Sequence, residues 1–265
     1  MPGSIFFVWC IRRDRLKNLK LAAVCLSCLT MTGCSALNFS VEGLINAPKL
    51  TSEQSEIHQA LIESVGSNIT LKYPKNGEYR SAYVIANIDD EPTDEAMVFY
   101  EYTSNGSEED GLRVNILDKD EDGKWYSVKE LAGAGTDIDQ VIISPMGSNN
   151  QTDVFVGYQN LTNDEKTMEI YSYTDGDFKR VALDTYSVLE PLDINNDGYI
   201  ELITIQRSTN NDTGAVTAKA SMLNMKNNEI TRGENVDMCD NVTSYVSSKT
   251  GMLDSGRGVL FLLTD

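Results

Sequence analysis

The sequence predicts an antiparallel all-β domain that follows one short amphipathic helix. Three observations lead to this fold class. Beyond residue 66, short runs rich in Val, Ile and aromatic residues alternate apolar and polar side chains with a period of two. Asp122-Gly123 and Asp175-Gly176 each lie between two such runs, as expected for the tips of hairpins. Parts of the pattern also recur at intervals of about 50 residues.

Length and composition limit the class of protein. The chain has 265 residues and a net charge of −18, from 40 acidic and 22 basic residues. A surface this acidic repels phosphate backbones, so we expect no nucleic-acid partner and regard cations as natural ligands. The single histidine, His58, argues against Ser-His-Asp catalysis and histidine-rich zinc sites. We expect His58, which lies in the predicted helix, to be a surface or boundary residue.

The N-terminal segment 1–33 is predicted to be a signal peptide. A basic cluster within 12–20 precedes an uncharged, largely apolar run over 21–31, which is too short to span a bilayer as a helix of about 20 residues. Residues 31–34, Met-Thr-Gly-Cys, resemble the lipobox of bacterial lipoproteins. The resemblance implies that Cys34 is lipidated and anchors the mature protein to the extracytoplasmic face of the cell membrane. An ordinary signal peptide is the alternative.

The mature chain is expected to open with a tether and one helix. Residues 34–50 are mixed and aperiodic, as in a linker. The helical segment is predicted over 51–66, where Thr51 and Gln54 match a capping box. Apolar side chains then recur at helical spacing, at Ile57, Ala60, Leu61 and Val65.

The remaining chain, 67–265, is predicted to be a β-domain without a second helix. Thirteen segments have the composition of strands, with turn residues between them. They are 69–73, 81–85, 96–102, 112–117, 125–131, 139–143, 154–158, 168–173, 178–183, 187–192, 202–205, 217–223 and 258–263.

The strand pattern contains a degenerate internal repeat. Two stretches, 84–102 and 189–207, superpose without a gap, a weaker copy lies between them and another begins near the C-terminus. In this alignment Glu95, Asp153 and Glu201 share one position. A repeat of about 50 residues with about four strands is typical of a propeller blade. We therefore expect three to four β-propeller-like blades, in a ring that is closed or in an open assembly.

One loop of the repeat carries a candidate metal site. The segment from Asp193 to Glu201 resembles the calcium loops of FG-GAP or VCBS-type repeats in integrin-like β-propellers, D-x-[DN]-x-D-G-x-x-[DE]. Ca²⁺ prefers six to eight oxygen ligands, which the alternate side chains of such a loop can supply. The expected ligands are Asp193, Asn195, Asp197, the carbonyl of Tyr199 and Glu201. A polar hairpin loop without a metal is the alternative.

The equivalent loop of the first copy is a weaker candidate for a second calcium site, because Pro92 takes the place of the glycine. Its ligands would be Asn87, Asp89, Glu91 and Glu95. The loop of the middle copy has Pro145, Gly147, Asn149 and Gln151 in place of acidic ligands and is expected to bind no metal.

Two classes of function fit these features. The first is a non-enzymatic binding module at the cell surface, whose calcium-stiffened loops meet a protein or a glycan, and no catalytic residues are expected in it. The alternative is an extracytoplasmic polysaccharide hydrolase or lyase, since paired carboxylates suffice for glycoside chemistry. Glu190 and the Trp125-Tyr126 pair are the residues that this alternative would use.

Overall fold

A computed structural model of the chain is built mainly from β-strands, with one α-helix ahead of the β-domain in the part it describes. No helix in that part is long and apolar enough to cross a membrane. Most of the predicted signal peptide and tether, including Cys34, lies outside the described residues. The structure describes residues 7–12, 50–103, 111–146, 152–160, 165–193, 200–209, 212, 216–226, 229–233, 236–240, 245–252 and 258–264.

The predicted helix is confirmed as α1, Ser52–Val65. Thr51 Oγ1 accepts the N–H of Gln54 at 3.1 Å, and Gln54 Oε1 accepts the N–H of Thr51 at 3.1 Å. This capping box satisfies two amides that the start of a helix otherwise leaves unpaired. Gly66 ends the helix at a φ of +85°, a conformation that favours glycine, and its N–H donates to the carbonyl of Ile62.

The first sheet is an antiparallel meander whose five strands occupy four positions, because its first two strands pair with different ends of the third. The predicted hairpin tip between the last two strands of this sheet is confirmed by the positive φ of Gly123. The strands are β2 (Ile69–Leu71), β3 (Tyr83–Ala86), β4 (Glu95–Tyr102), β5 (Leu112–Lys119) and β6 (Trp125–Ala132).

The second sheet is an antiparallel meander of four strands in chain order. Asp175 and Gly176 both have positive φ and form the predicted hairpin tip between its last two strands. The strands are β7 (Asp137–Pro145), β8 (Thr152–Gln159), β9 (Lys166–Thr174) and β10 (Asp177–Tyr186).

The third sheet repeats the pattern of the first in reverse, since its last two strands pair with different ends of the strand before them. Its strands are again antiparallel. They are β11 (Val188–Leu192), β12 (Glu201–Thr209), β13 (Val216–Lys226), β14 (Glu229–Arg232) and β15 (Val236–Asp240).

A fourth sheet joins the two ends of the chain. Its central strand β17 (Gly258–Thr264) pairs antiparallel with β16 (Tyr245–Met252) and parallel with β1 (Phe7–Arg12). β1 lies inside segment 1–33, which the sequence predicts to be a signal peptide. Cleavage of that segment would leave β17 without this neighbour.

Three hydrophobic clusters pack the helix and the first three sheets in one series of layers. α1 covers the outer face of the first sheet, where Ile57 clusters with Val98 and Trp125. The opposite face of the first sheet packs on the second sheet, through residues such as Phe99 on β4 and Val156 on β8. The layers are held by removal of apolar surface from water on both sides of the first sheet.

The second sheet is also covered on both faces. Phe155 and Tyr186 on its far side cluster with Leu202 and Leu223 of the third sheet. Successive residues of a strand point to opposite faces, so a strand between two layers reads as a continuous apolar run rather than an alternating one. The sequence prediction of an antiparallel, mainly β-domain after a short helix is therefore confirmed. The finer prediction that the sheets are propeller blades remains a prediction.

Candidate functional site

The three acidic residues that the sequence alignment brings together hold the same place in three sheets. Glu95 is the first residue of β4, Asp153 the second of β8 and Glu201 the first of β12, and each strand is the second position of its sheet. Glu95 Oε2 accepts the N–H of Ile88 at 2.8 Å, and Asp153 Oδ2 accepts the N–H of Met146 at 3.2 Å. In both cases the donor lies seven residues earlier, so the carboxylate closes the loop that precedes its strand.

The stronger candidate calcium loop is described only at its two ends. Asp193 and Glu201 are half-buried and both have interaction partners. Asn195, Asp197 and Tyr199 lie outside the described residues. The calcium site of this loop therefore stays a prediction, as does the lipidation of Cys34.

The weaker candidate loop, in the first sheet, folds back on itself. The side-chain amide nitrogen of Asn87 donates to the carbonyls of Glu91 at 2.5 Å and Thr93 at 3.0 Å. Asp89 Oδ1 accepts the N–H of Glu91 at 2.7 Å. These bonds hold the loop in its folded-back conformation, and calcium at the four predicted ligands stays a prediction.

The loop forms one wall of a cavity of about 190 Å³ between the first and second sheets, which we name the acidic pocket. Three of the predicted ligands, Asp89, Glu91 and Glu95, line it, and Asn87 does not. The other lining residues are Ile88, Ile116, Asp118, Tyr126, Val128, Lys129, Tyr173, Gly176, Asp177 and Phe178.

Asp118 is a member of the acidic pocket that sequence reasoning missed. Ala96 of β4 pairs with Leu117 of β5, and one further step along this register places Asp118 opposite Glu95. Asp118 Oδ1 accepts the N–H of Lys119 at 2.6 Å. The strand register that makes these two carboxylates neighbours has no local sequence signature, so only the sheet pairing reveals it.

Among the acids of the acidic pocket, Glu95 has the most strongly shifted pKa. Its side chain is buried, at 3% exposure, and its Oε1 has no hydrogen-bond partner among the described residues. Burial, and then the charges of Asp89 and Asp118, raise the pKa of Glu95 to about 7, against the bond from Ile88 that favours the carboxylate. Burial also raises the pKa of Asp89.

Aromatic and apolar side chains line the rest of the acidic pocket, and Tyr126 pairs in register with Asp118. Tyr126 is 45% exposed, and its hydroxyl lies 3.4 Å from Asp118 Oδ2. Lys129 is the basic lining residue, but its Nζ donates to Asp177 Oδ1 at 2.6 Å and to the carbonyl of Phe178 at 2.7 Å. This ion pair bridges the first and second sheets and neutralises one charge of each sign, so the pocket keeps a negative balance.

A second cavity, of about 600 Å³, contains Glu190, the residue named for the hydrolase alternative. Its buried acid is Asp139, whose Oδ1 accepts from Lys166 at 2.7 Å and Asn76 at 2.8 Å. Asp139 Oδ2 accepts from the Tyr186 hydroxyl at 2.7 Å. Three donors thus fix Asp139 as an acceptor that ties separate elements together.

The remaining residues singled out from the sequence have structural contacts. His58 Nδ1 and the Tyr83 hydroxyl share a hydrogen bond of 2.8 Å at the boundary between α1 and the first sheet. Trp125 is buried at 3% exposure, with Lys119 Nζ at 4.3 Å from its ring centroid. Both are part of the packing between the helix and the first sheet.

Comparison of the chain with protein-family models and with curated proteins finds no match in either. The resemblances to lipoproteins and to FG-GAP or VCBS-type repeats accordingly rest on the residues of this chain. Its function has to be inferred from the geometry of its loops and of the acidic pocket.

Proposed function

We propose that the protein is a lipid-anchored extracytoplasmic binding module whose β-propeller-like domain is stabilised by calcium and which performs no catalysis. The observation that carries this proposal is the acidic residue repeated at one position of three stacked sheets. Glu95 and Asp153 each close the loop before their strand. Repeated, closed loops on a rigid layered scaffold supply a surface that can vary without loss of the fold.

Calcium is proposed for the loop that joins β11 to β12. Asp193 follows β11 and Glu201 begins β12, so the two ends of the predicted ligand set flank the loop. Between them the sequence supplies Asn195, Asp197 and the carbonyl of Tyr199. Five oxygen donors with one or more waters satisfy the coordination that Ca²⁺ prefers.

Thermal unfolding of the full chain in detergent tests the calcium proposal. A ligand that binds only the folded state stabilises it by about 2.7 kcal/mol at a hundredfold excess over Kd. For a chain of this size we expect calcium to raise the Tm by about 5 to 10 °C, with a smaller rise for magnesium.

The matched variants are Asp193→Asn, which should abolish the calcium shift, and Glu121→Gln, which should keep it. Glu121 is an exposed acid at the tip of the β5–β6 hairpin, so its replacement makes the same change of charge elsewhere. An equal shift in both variants, or no shift in the unaltered chain, would show that the loop is a polar turn without calcium.

Metabolic labelling with an alkyne analogue of palmitate tests the lipid anchor in a bacterium that produces the full chain. The unaltered chain should carry the label and sediment with membranes, whereas Cys34→Ser should carry none. A labelled Cys34→Ser chain, or an unlabelled natural chain, would contradict the lipobox.

A further inference from the structure

The lining of the acidic pocket combines two kinds of side chain. Asp89, Glu91, Glu95 and Asp118 contribute carboxylates, and most of the other lining residues are aromatic or apolar, with Tyr126 in register beside Asp118. Tyr173 also lines the pocket, and burial and the nearby carboxylates raise the pKa of its hydroxyl. A ligand that fits such a lining combines a positive charge with an apolar body.

One buried carboxylate oxygen of the acidic pocket has no hydrogen-bond partner among the described residues. The Glu95 side chain lines the pocket and is only 3% exposed. Its Oε1 has no hydrogen-bond donor among the described residues. Buried acceptors are nearly always paired, because an unpaired one costs about 1 to 3 kcal/mol. Lys129, the basic residue on the pocket wall, is held by Asp177 and the carbonyl of Phe178. A hydrogen-bond donor from outside the chain would satisfy Glu95 Oε1.

A bare metal ion suits this pocket less well than an organic cation. Calcium needs six to eight oxygens around it, and the lining residues Ile88, Ile116 and Phe178 supply none from their side chains. Within the described part of the chain, no three acidic, histidine or cysteine side chains converge as a metal-binding group. An ammonium group instead donates three hydrogen bonds to carboxylates and is also attracted to the face of a tyrosine.

We propose that the acidic pocket binds the ammonium end of an alkylamine, with the nitrogen at Glu95 and Asp118 and the alkyl chain against Tyr126 and Tyr173. The volume of about 190 Å³ is below the roughly 300 Å³ at which pockets for whole drug-sized ligands begin. It accommodates a single amine-bearing chain, supplied by a lysine side chain of a partner or by a free polyamine. The inference rests on the proposed binding role and names the ligand chemistry of one of its sites.

Calorimetric titration of the full chain in detergent, at neutral pH and low salt, tests the proposal with four probes. Spermidine represents a free polyamine, and the capped tripeptide acetyl-Gly-Lys-Gly-amide represents a lysine side chain. The same tripeptide with glutamine in place of lysine is the neutral control, and calcium chloride is the competing metal. We expect saturable binding of at least one amine and none of the glutamine tripeptide.

Asp118→Asn and Glu95→Gln should each weaken amine binding by about tenfold or more, since each removes a charged acceptor of nearly unchanged shape. Glu121→Gln should bind within about twofold of the unaltered chain, because it changes the same charge outside the pocket. Tighter binding of spermidine identifies a polyamine as the source, and equal or tighter binding of the lysine tripeptide identifies a protein side chain.

Binding of neither amine, or undiminished binding by Asp118→Asn, would overturn the proposal. Calcium binding that Asp118→Asn abolishes, without amine binding, would overturn it as well and make the pocket a metal site. These failures are distinct from failure of the calcium proposal for the β11–β12 loop, whose Tm shift depends on Asp193 and should be unchanged in Asp118→Asn.

Discussion

The first and second sheets each have a buried acid at the same position, but the residue opposite that acid differs between them. In the second sheet Asp153 pairs in register with Ser172 of β9, whose hydroxyl donates to Asp153 Oδ1 while the N–H of Met146 donates to Oδ2. In the first sheet the register places Asp118 opposite Glu95, so an acceptor stands where the second sheet has a donor.

The difference shows that the two roles of the repeated acid can be separated. Both acids close the preceding loop, because each binds a backbone amide seven residues earlier. Only Asp153 has both oxygens satisfied within the sheets. Burial raises the pKa of Asp153, but the bonds from Ser172 and Met146 oppose that rise. In the first sheet two carboxylates face each other, which leaves a place for a cationic ligand.

The largest expected effect comes from giving the second sheet two opposite carboxylates, as in the first sheet. Ser172→Asp would place a carboxylate beside Asp153 in a fully buried position, since the two residues are 0% and 2% exposed. We expect the free energy of unfolding to fall by about 3 kcal/mol at pH 7, as for an uncompensated buried charge. Urea unfolding measures this loss.

Ser172→Asn is the matched control for size, because it adds a side chain of the same shape without the charge. It should be more stable than Ser172→Asp at pH 7, and the gap should close towards pH 4 as the added acid takes up a proton. Equal stability of the two variants at pH 7 would show that crowding, not charge, governs this position.

A smaller effect is expected from the pH dependence of Glu95. Its pKa is raised in the folded state from an ordinary value of 4.5 to about 7. Below pH 4.5 both states hold the proton, and between pH 4.5 and 7 only the folded state does. The folded state therefore loses about 1 to 3 kcal/mol of stability as the pH rises through this window, and the loss is complete above it.

Glu95→Gln lacks this titration, so its free energy of unfolding should vary less between pH 4.5 and 7 than that of the unaltered chain. The difference between the two urea-unfolding curves, taken as a function of pH, isolates the contribution of Glu95. Parallel pH profiles would mean that water or another residue already neutralises the buried carboxylate.

The smallest expected effect is a gain. Asp118→Ser would give the first sheet the hydroxyl that the second sheet uses, so it removes a like charge and supplies a donor to Glu95. We expect the free energy of unfolding to rise by about 1 kcal/mol above pH 7. Urea unfolding at pH 8 measures the gain.

Asp118→Ala removes the charge without the donor and serves as the control. Asp118→Ser should exceed Asp118→Ala in stability, because only serine can pair with Glu95 Oε1. If alanine stabilises as much as serine, relief of repulsion alone accounts for the gain, and the sheets differ in charge rather than in hydrogen bonding.

Short sequence patterns predict much of this fold. The capping box at Thr51 and the glycine at Gly66 set the ends of α1, and the two Asp-Gly tips set hairpins, because each depends on residues within a few positions of one another. The shared position of Glu95 and Asp153 was also visible, since it recurs with the repeat.

Other features depend on pairing between distant residues. The strands β1, β14, β15 and β16 are not predicted from the sequence, because their backbones complete ladders with a neighbour whatever their side-chain pattern. Asp118 likewise became part of the site only through its register with β4. The contrast between Ser172 and Asp118 is invisible until the sheets are paired.

The helix α1 covers one end of the series of stacked sheets. A sheet that is apolar on both faces invites another sheet on each side, and such a series has no intrinsic end. By covering the first sheet, with Ile57 and Leu61 completely buried, α1 occupies the face on which a further sheet would dock. A sheet of another copy that stacked on this face would have to displace the helix, and so would a ring that returned to the first sheet.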